Sequence, residues 1–408
     1  MDRMPDKTAV LLFAGEASAM CGDTDYRFLP DRNFFYLTGL SYEHGKLVIV
    51  KRDAGVAVTL YAPVKDAMVE RWHGKTASFE ELSRISGIDV NDIRPIDDYD
   101  NDILELLKDR SLTPATDSAS IMRGSKDALK RIETLVGPDN IHDIKDDLIA
   151  LRMVKSEEEV EAIRQAGIIT EAALEDMKEH IRPGVTEIEL YAALENGMMK
   201  RGCLIPAFAT ITAIGKNAFY LHHAEPEDNE GETASEGDLI QIDVGARVGG
   251  YCADISRVYF VGGEGAGIRS SEERDRRFLL LELILKMRKV VMATIAPGVT
   301  FTDLNKKMKE IVAEWMKQNS LTSGDETEID AGVYYWHNIG HHLGLDVHDC
   351  SLGKDIPFEE GNCLAIEPGV YIPEWNAGFR IEDDVLVTKD GCVMLTGGQD
   401  RTEDIVIS

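Results

Sequence analysis

A chain of 408 residues exceeds what one ordinary core needs, so two domains, at most three, are expected. Hydrophobic residues at 44% and charged residues at 29% are the proportions of a soluble globular protein. The formal net charge of -29 sets up a field that repels nucleic acid and anionic membrane surfaces, and neither is expected as a partner.

The opening MDRMPDKTAVLLFAG has a short apolar run without a small-residue cleavage site, so it is not read as a signal peptide. No stretch approaches the about 18 apolar residues of a membrane span. The six cysteines are scattered without a CxxC pair, which suits a reducing compartment and a cytoplasmic location. Over the first 110 or so residues, FFYLTGL, KLVIV and VAVTLYA read as strands, and 78–86 and 101–109 read as helices. This alternation predicts a compact α/β domain. SLTPATDSAS (111–120) reads as a loop by composition, and a further helix-and-loop segment runs to about residue 150.

Beyond it the texture changes. In KSEEEVEAIRQAGIITEAALEDMKEHI, Ser156 and Glu159 are spaced as a capping box. Val160, Ile163, Ala166, Leu174, Met177 and Ile181 then follow helical spacing until Pro183-Gly184. The boundary is therefore placed just before it, dividing the chain into 1–150 and 151–408. RPGVTEIEL (182–190) returns as APGVTFTDL (296–304), each a turn entering an amphipathic helix. Shared helix-start chemistry could give so short a match. The parallel surroundings favour a duplicated α+β half.

DLIQIDVGARVGGYCADISRVYF (238–260) reads as a β-hairpin around a glycine-rich centre. A turn at Val248-Gly249 would set Asp243 directly opposite Asp254, Cβ atoms ~4.5–5.5 Å apart. A shift to Gly249-Gly250 would leave them diagonal neighbours. Two aspartates on an exposed hairpin need no explanation. The flanks Leu239-Ile240, Ile242, Val244 and Val258-Tyr259-Phe260 predict burial instead, and buried carboxylates that close call for a cation.

HNIGHHLGLDVHD (337–349) holds four of the ten histidines: His337, His341, His342 and His348. A surface collection and a metal or proton-transfer site are both open readings of that cluster. Glu367 in CLAIEPGVYI and Glu382 in GFRIEDDVLVT sit in apolar strands, where ionised carboxylates are seldom left unpaired. Arg380 is two residues from Glu382, so it either neutralises that glutamate outright or holds it while it binds metal. Asp243, Asp254, one histidine of the cluster, Glu367 and Glu382 form an oxygen-rich set that favours Mn²⁺, Co²⁺ or Fe²⁺ over structural zinc. Four carboxylates suit two ions ~3.5–4 Å apart, an arrangement that serves hydrolysis.

The ordered set IDVG…ADISR, GHHLGLDVHD, AIEPG and RIEDD resembles the metallopeptidases of the pita-bread fold, over residues 155–400. The resemblance implies an internally duplicated α+β catalytic domain with two divalent metal ions, most simply Mn²⁺, with Co²⁺, Fe²⁺ or Zn²⁺ as alternatives. It implies that Asp243, Asp254 and Glu382 bind metal, the last two bridging, and that His341 and Glu367 complete the other metal's set of ligands. Glu367 would double as general base. His337 and His348 match substrate-side histidines, and His222 in YLHHAEP matches the remaining active-site histidine, with His223 as the alternative. Arg380 matches an arginine supporting the bridging glutamate. His342 stands where relatives carry an apolar or aromatic residue and receives no catalytic role. HNIGHH departs from relatives that have a glycine after His337.

DYRFLPDRNFFYLTGL is similar to the N-terminal domain of aminopeptidase P, which methionine aminopeptidases lack; creatinase shares the two-domain plan without this ligand set. The resemblance therefore implies an Xaa-Pro aminopeptidase acting on peptides with proline in second position. An Xaa-Pro dipeptidase (prolidase) is the nearest alternative, and a non-catalytic peptide-binding protein of this fold is a further one. Relatives are commonly dimers or tetramers, so a homo-oligomer is expected.

Overall fold

The structure, a computed structural model, describes residues 5–118, 120, 124–223, 232–262, 271–321, 329–400 and 406–407. Contacts divide the chain into two compact units, Met1–Leu151 and Arg152–Ser408. Among the described residues no helix is long and apolar enough to cross a membrane. All six cysteines are free.

The first unit is built on six strands: β1 (Thr8–Phe13), β2 (Lys46–Arg52), β3 (Gly55–Ala62), β4 (Ile93–Pro95), β5 (Thr113–Thr116) and β6 (His142–Asp143), in the order β4-β3-β2-β1-β5-β6. The β1–β2 and β2–β3 pairs are antiparallel and the others parallel. All six β1 side chains are buried because the sheet is covered on both faces. Val10 and Leu12 enter one core cluster, and Leu11 and Phe13 enter the other.

Two expectations fail here. FFYLTGL is not a strand: Arg32–Thr38 forms helix α1, started by the Asp31 carboxylate accepting the Asn33 and Phe34 N–H groups and ended at Gly39 with φ 67°. Within 111–120, read as loop, Thr113–Thr116 is strand β5. It pairs with β1, and Thr116 Oγ1 donates to the Leu11 carbonyl at 2.8 Å. Tertiary pairing overrides the turn-rich composition. Helices α2 (Phe79–Ser86) and α3 (Tyr99–Leu106) form where helices were expected, α3 starting and ending earlier.

The second unit is a duplicated α+β structure. In its first half, α4 (Glu157–Lys178) and α5 (Glu187–Lys200) precede β7 (Ile211–Ile214), β8 (Leu239–Val244) and β9 (Ile255–Val261). In its second, α6 (Ser271–Met292) and α7 (Phe301–Gln318) precede β10 (Gly340–His342), β11 (Cys363–Ile366), β12 (Gly369–Ile372), β13 (Ala377–Arg380), β14 (Asp383–Thr388) and β15 (Gly391–Met394). With β16 (Val406–Ile407) the sheets run β16-β9-β8-β7 and β10-β11-β14-β15, and β12 and β13 form a two-stranded ribbon. The repeated turns do the same job in each half. Gly184 and Gly298 take φ of 89° and 93°, and Thr186 and Thr300 then cap α5 and α7 with reciprocal bonds to Glu189 and Asp303.

Each half has its own core. Leu174, Met177, Leu190 and Leu194 pack on Ile240, Ile242 and Val244, while Leu280, Ile284, Leu304 and Met308 pack on Leu364, Ile366 and Val385. Each such buried side chain contributes ~1.5–3 kcal/mol, so packing decides that these helices stay helical. Strand β9 serves both cores, Tyr259 and Val261 facing the first and Val258 and Phe260 the second. Its N-terminal end is where the two halves' polar residues meet.

Candidate metal centre

The hairpin leading into β9 turns at Gly249-Gly250, with φ of 55° and 89°, as a turn needing two positive φ values requires. Arg247 pairs with Cys252 and Val248 with Tyr251, so Asp243 faces Ser256. The direct opposition expected from a Val248-Gly249 turn gives way to the diagonal arrangement, with Asp243 and Asp254 on one sheet face. Gly245 is needed between them, since a Cβ there would lie 1.9 Å from the Ala253 carbonyl oxygen. Both aspartates are buried.

The second half supplies the rest. His341 sits mid-strand on β10 opposite Ala365 of β11, and Glu367 follows β11, its N–H donating to the Ile339 carbonyl at 2.9 Å. Glu382 directly precedes β14, and its N–H donates to the Ser256 carbonyl at 3.1 Å, which ties the second half to β9. Asp243, Asp254, His341, Glu367 and Glu382 thus line one cavity of about 360 Å³, together with His222, His337, His348 and Arg380. Asn338 and Leu221 line it as well; sequence reasoning assigned neither a place there.

Whether these side chains suit a cation can be tested on their surroundings. His341 Nδ1 lies 3.0 Å from the His342 carbonyl, to which it donates as N–H, leaving the Nε2 lone pair 3.4 Å from Asp254 and 3.8 Å from Glu382. Ligand atoms of Asp243, Asp254 and Glu382, of His341, Glu367 and Glu382, and of Asp254, His341 and His348 all lie within 4.8 Å of one another in each trio. Buried Oδ1 atoms of Asp243 and Asp254 have no hydrogen-bond partner. Burial, then repulsion from Glu382 and Asp243, pushes the Asp254 carboxyl well above the ordinary range; burial, then Asp243 and Glu367, does the same to Glu382. Orphaned acceptors on mutually repelling buried carboxylates fit one or more divalent cations.

The groups around this set are held by specific bonds. Arg380, expected to hold Glu382, makes its ion pair with Asp243 and also donates to the Leu221 carbonyl at 3.2 Å. Gln241 clasps the Arg380 backbone, accepting its N–H at 2.9 Å and donating to its carbonyl at 3.3 Å. His337 Nδ1 is 2.9 Å from the Asn338 carbonyl and 3.4 Å from Glu367, while Nε2 is 3.1 Å from the Tyr371 hydroxyl. Burial pushes that hydroxyl up to about 12, so it stays a donor. The Trp336 ring stacks on Tyr371 at 4.9 Å, and nothing in the sequence around Tyr371 signals its part.

Of the adjacent histidines His222 lines the cavity, whereas His223 turns away, its Nε2 3.0 Å from the buried Glu187 carboxylate. Glu187 also accepts from the Ile214 N–H and the Asn217 side chain. His342 points into the core, edge-on to Phe301 and Phe358, with no polar partner for either ring nitrogen. Behind His348, Asp349 is fully buried between Lys155 Nζ at 3.0 Å and Arg152 at 2.5 Å.

Residues 161–389 match metallopeptidase family M24, and residues 1–113 match the aminopeptidase P N-terminal domain. An Xaa-Pro aminopeptidase of Haemophilus influenzae is 28% identical over 409 residues, covering 97% of this chain and 91% of that protein. An Xaa-Pro dipeptidase of Pyrococcus furiosus is 30% identical over 370 residues, covering 89% and 90%. Zinc-substituted Escherichia coli aminopeptidase P in complex with product superposes with a TM-score of 0.84 at 25% identity, covering 97% of this chain and 92% of that one.

Proposed function

The chain belongs to metallopeptidase family M24, and from that premise we propose that it is an Xaa-Pro aminopeptidase, a metal-dependent hydrolase of the bond between an N-terminal residue and a following proline. The observation that carries the reading is the convergence of four carboxylates and an imidazole, from both halves, on one cavity. Asp243, Asp254 and Glu382 would hold one ion, and His341 and Glu367 a second, with Asp254 and Glu382 shared. Mn²⁺ is our first choice, with Co²⁺, Fe²⁺ or Zn²⁺ as alternatives. Bound metal would supply acidified water and a Lewis acid for the scissile carbonyl.

The chain's own groups do the rest. Glu367, with its side chain 19% exposed, is more open than Glu382 at 2% and suits the general base that moves a proton from water towards the proline nitrogen. His337, oriented by Tyr371 and the Asn338 carbonyl, stands beside it. His222 and His348 would donate hydrogen bonds to the peptide as negative charge develops on its carbonyl oxygen. Arg380 neutralises Asp243.

The match of residues 1–113 supports an aminopeptidase, while the dipeptidases of Pyrococcus species, about as similar in identity, keep prolidase as a second reading. Comparing kcat/KM for Ala-Pro and Ala-Pro-Ala tests the choice: the tripeptide should be cut faster, and a clear preference for the dipeptide would make the protein a prolidase. We place the enzyme in the cytoplasm, in keeping with its free cysteines, and expect a homodimer or tetramer.

A further inference from the structure

A second cavity, of about 760 Å³, opens beside the metal centre, and Asn338 lines both. Three lysines line it: Lys306 and Lys309, a turn apart on α7, and Lys354 from the loop passing the start of that helix. The loop is pinned there, because the Thr302 N–H donates to the Lys354 carbonyl at 3.3 Å and the Thr302 hydroxyl bonds Asp355. Asn305 joins this groove to the metal centre. Its Oδ1 accepts from the Tyr335 hydroxyl and from the Ile339 N–H, both at 2.9 Å, fixing the segment that carries His337 and Asn338.

Among the described residues none of the three lysines makes a salt bridge. Two acidic side chains also line the groove, Glu310 and Asp330, and one Asp330 oxygen is taken by the Gly332 N–H at 2.8 Å. The lysines exceed the two lining carboxylates by one charge in a chain of net charge -29, which makes an anion the complementary ligand. A substrate's N-terminal ammonium does not qualify, since the lysines repel it. The part of a peptide that lies beyond proline does qualify, provided it carries carboxylates.

We propose that this groove binds the carboxylate-bearing portion of peptide substrates downstream of proline, making the enzyme selective for acidic tails; the proposal rests on the peptidase reading above. The carboxylates could be Asp and Glu side chains or the free C-terminus. Four pentapeptides separate these sources: Ala-Pro-Ala-Asp-Asp amide, Ala-Pro-Ala-Lys-Lys amide, Ala-Pro-Ala-Ala-Ala amide, and the last as its free acid. Each kcat/KM is taken relative to that of Ala-Pro-Ala amide, with the wild type and with the combined K306Q/K309Q/K354Q variant. At low ionic strength the wild type should favour the Asp-Asp peptide over the neutral amide roughly three- to tenfold, mainly through KM, and added salt should shrink the ratio. The lysine variant should bring the ratios together. A gain confined to the free acid would assign the groove to the C-terminal carboxylate.

Equal rates for all the amides and the free acid in the wild type, or a preference undiminished in the variant, would overturn the proposal. Binding of the same peptides to the full-length Glu367→Gln protein, by titration calorimetry, is read alongside. If no peptide is cleaved by the wild type yet acidic ones bind more tightly and the lysine variant loses that, the groove stands and the peptidase reading falls. If binding shows no charge dependence, the groove falls whatever the activity.

Discussion

His223 Nε2 lies 3.0 Å from Oε2 of the buried Glu187, and this contact anchors the turn from which His222 enters the cavity. The same carboxylate accepts from the Ile214 N–H at 2.8 Å and the Asn217 amide at 2.9 Å, so the turn is fixed at three points. Glu187→Gln keeps the shape and removes the charge. It should lower kcat roughly ten- to hundredfold while KM and metal content stay near wild type, because displacing a reacting group by about an ångström costs that much. Loss of metal along with activity would show general collapse instead of misplacement.

Metal content separates ligands from the other histidines. Exhaustive chelation should abolish peptidase activity, and Mn²⁺ or Co²⁺ should restore it. Asp254→Ala, Glu382→Ala and His341→Ala should each lose metal by elemental analysis. His222→Ala and His348→Ala should retain it and lose ~10²–10⁴-fold in turnover. His348 is the informative case, because it lies within ligand distance of Asp254 and His341. If its alanine variant lost as much metal as that of His341, the division between ligand and substrate-side histidine would be wrong.

His342 predicts a pH dependence of stability. Burial in the Phe301–Phe358 pocket, then the nearby Lys155 charge, lowers its pKa to about 4. The unfolded chain keeps an ordinary value of ~6.5, so between these limits the unfolded state binds more protons. Stability is therefore lost as pH falls through that window, by about 2 kcal/mol at pH 5 relative to neutral pH. His342→Phe should flatten the slope between pH 7 and 4.5 in denaturant titrations. An unchanged slope would place the proton uptake elsewhere.

Asp349 bears on His348 through the buried charges behind it. With Asp349, Lys155 and Arg152 all buried, removing one cation leaves a carboxylate only partly compensated. Lys155→Met should cost about 3 kcal/mol in unfolding free energy and reduce kcat, since the loop bearing His348 is secured there. Stability and kcat both within experimental error of wild type would refute that coupling.

What the sequence disclosed, and what it hid, follows from the range of each interaction. The capping box at Ser156 and the repeated Pro-Gly-Val-Thr turns before Glu187 and Phe301 are local in sequence, so a linear reading finds them, and with them the duplication. The carboxylates were conspicuous because each sits in an apolar run. Arg380 was linked to Glu382, which does feel its charge, while its direct ion pair with Asp243, 137 residues away, left no mark in the sequence. FFYLTGL has an apolar run that suits either a strand or a helix, and the decisive signals were Asp31 and Gly39 at its ends. Tyr371 and Glu187 act through partners 34 and 36 residues distant and carry no local mark.

The duplicated architecture divides custody of the centre unevenly: Asp243 and Asp254 come from the first half, and His341, Glu367 and Glu382 from the second. If these five residues hold the metal as proposed, neither half carries the full set, and a nascent chain has little with which to capture an ion until β9 has been joined by the strand that starts after Glu382. Metal uptake should thus be among the last events of maturation. The ion would then act as a clasp closing the two halves, adding RT ln(1 + [M]/Kd) to the native state alone. Strand β9 serves both cores, so an apo-enzyme should keep its halves joined and lose only the stability that the ion contributes.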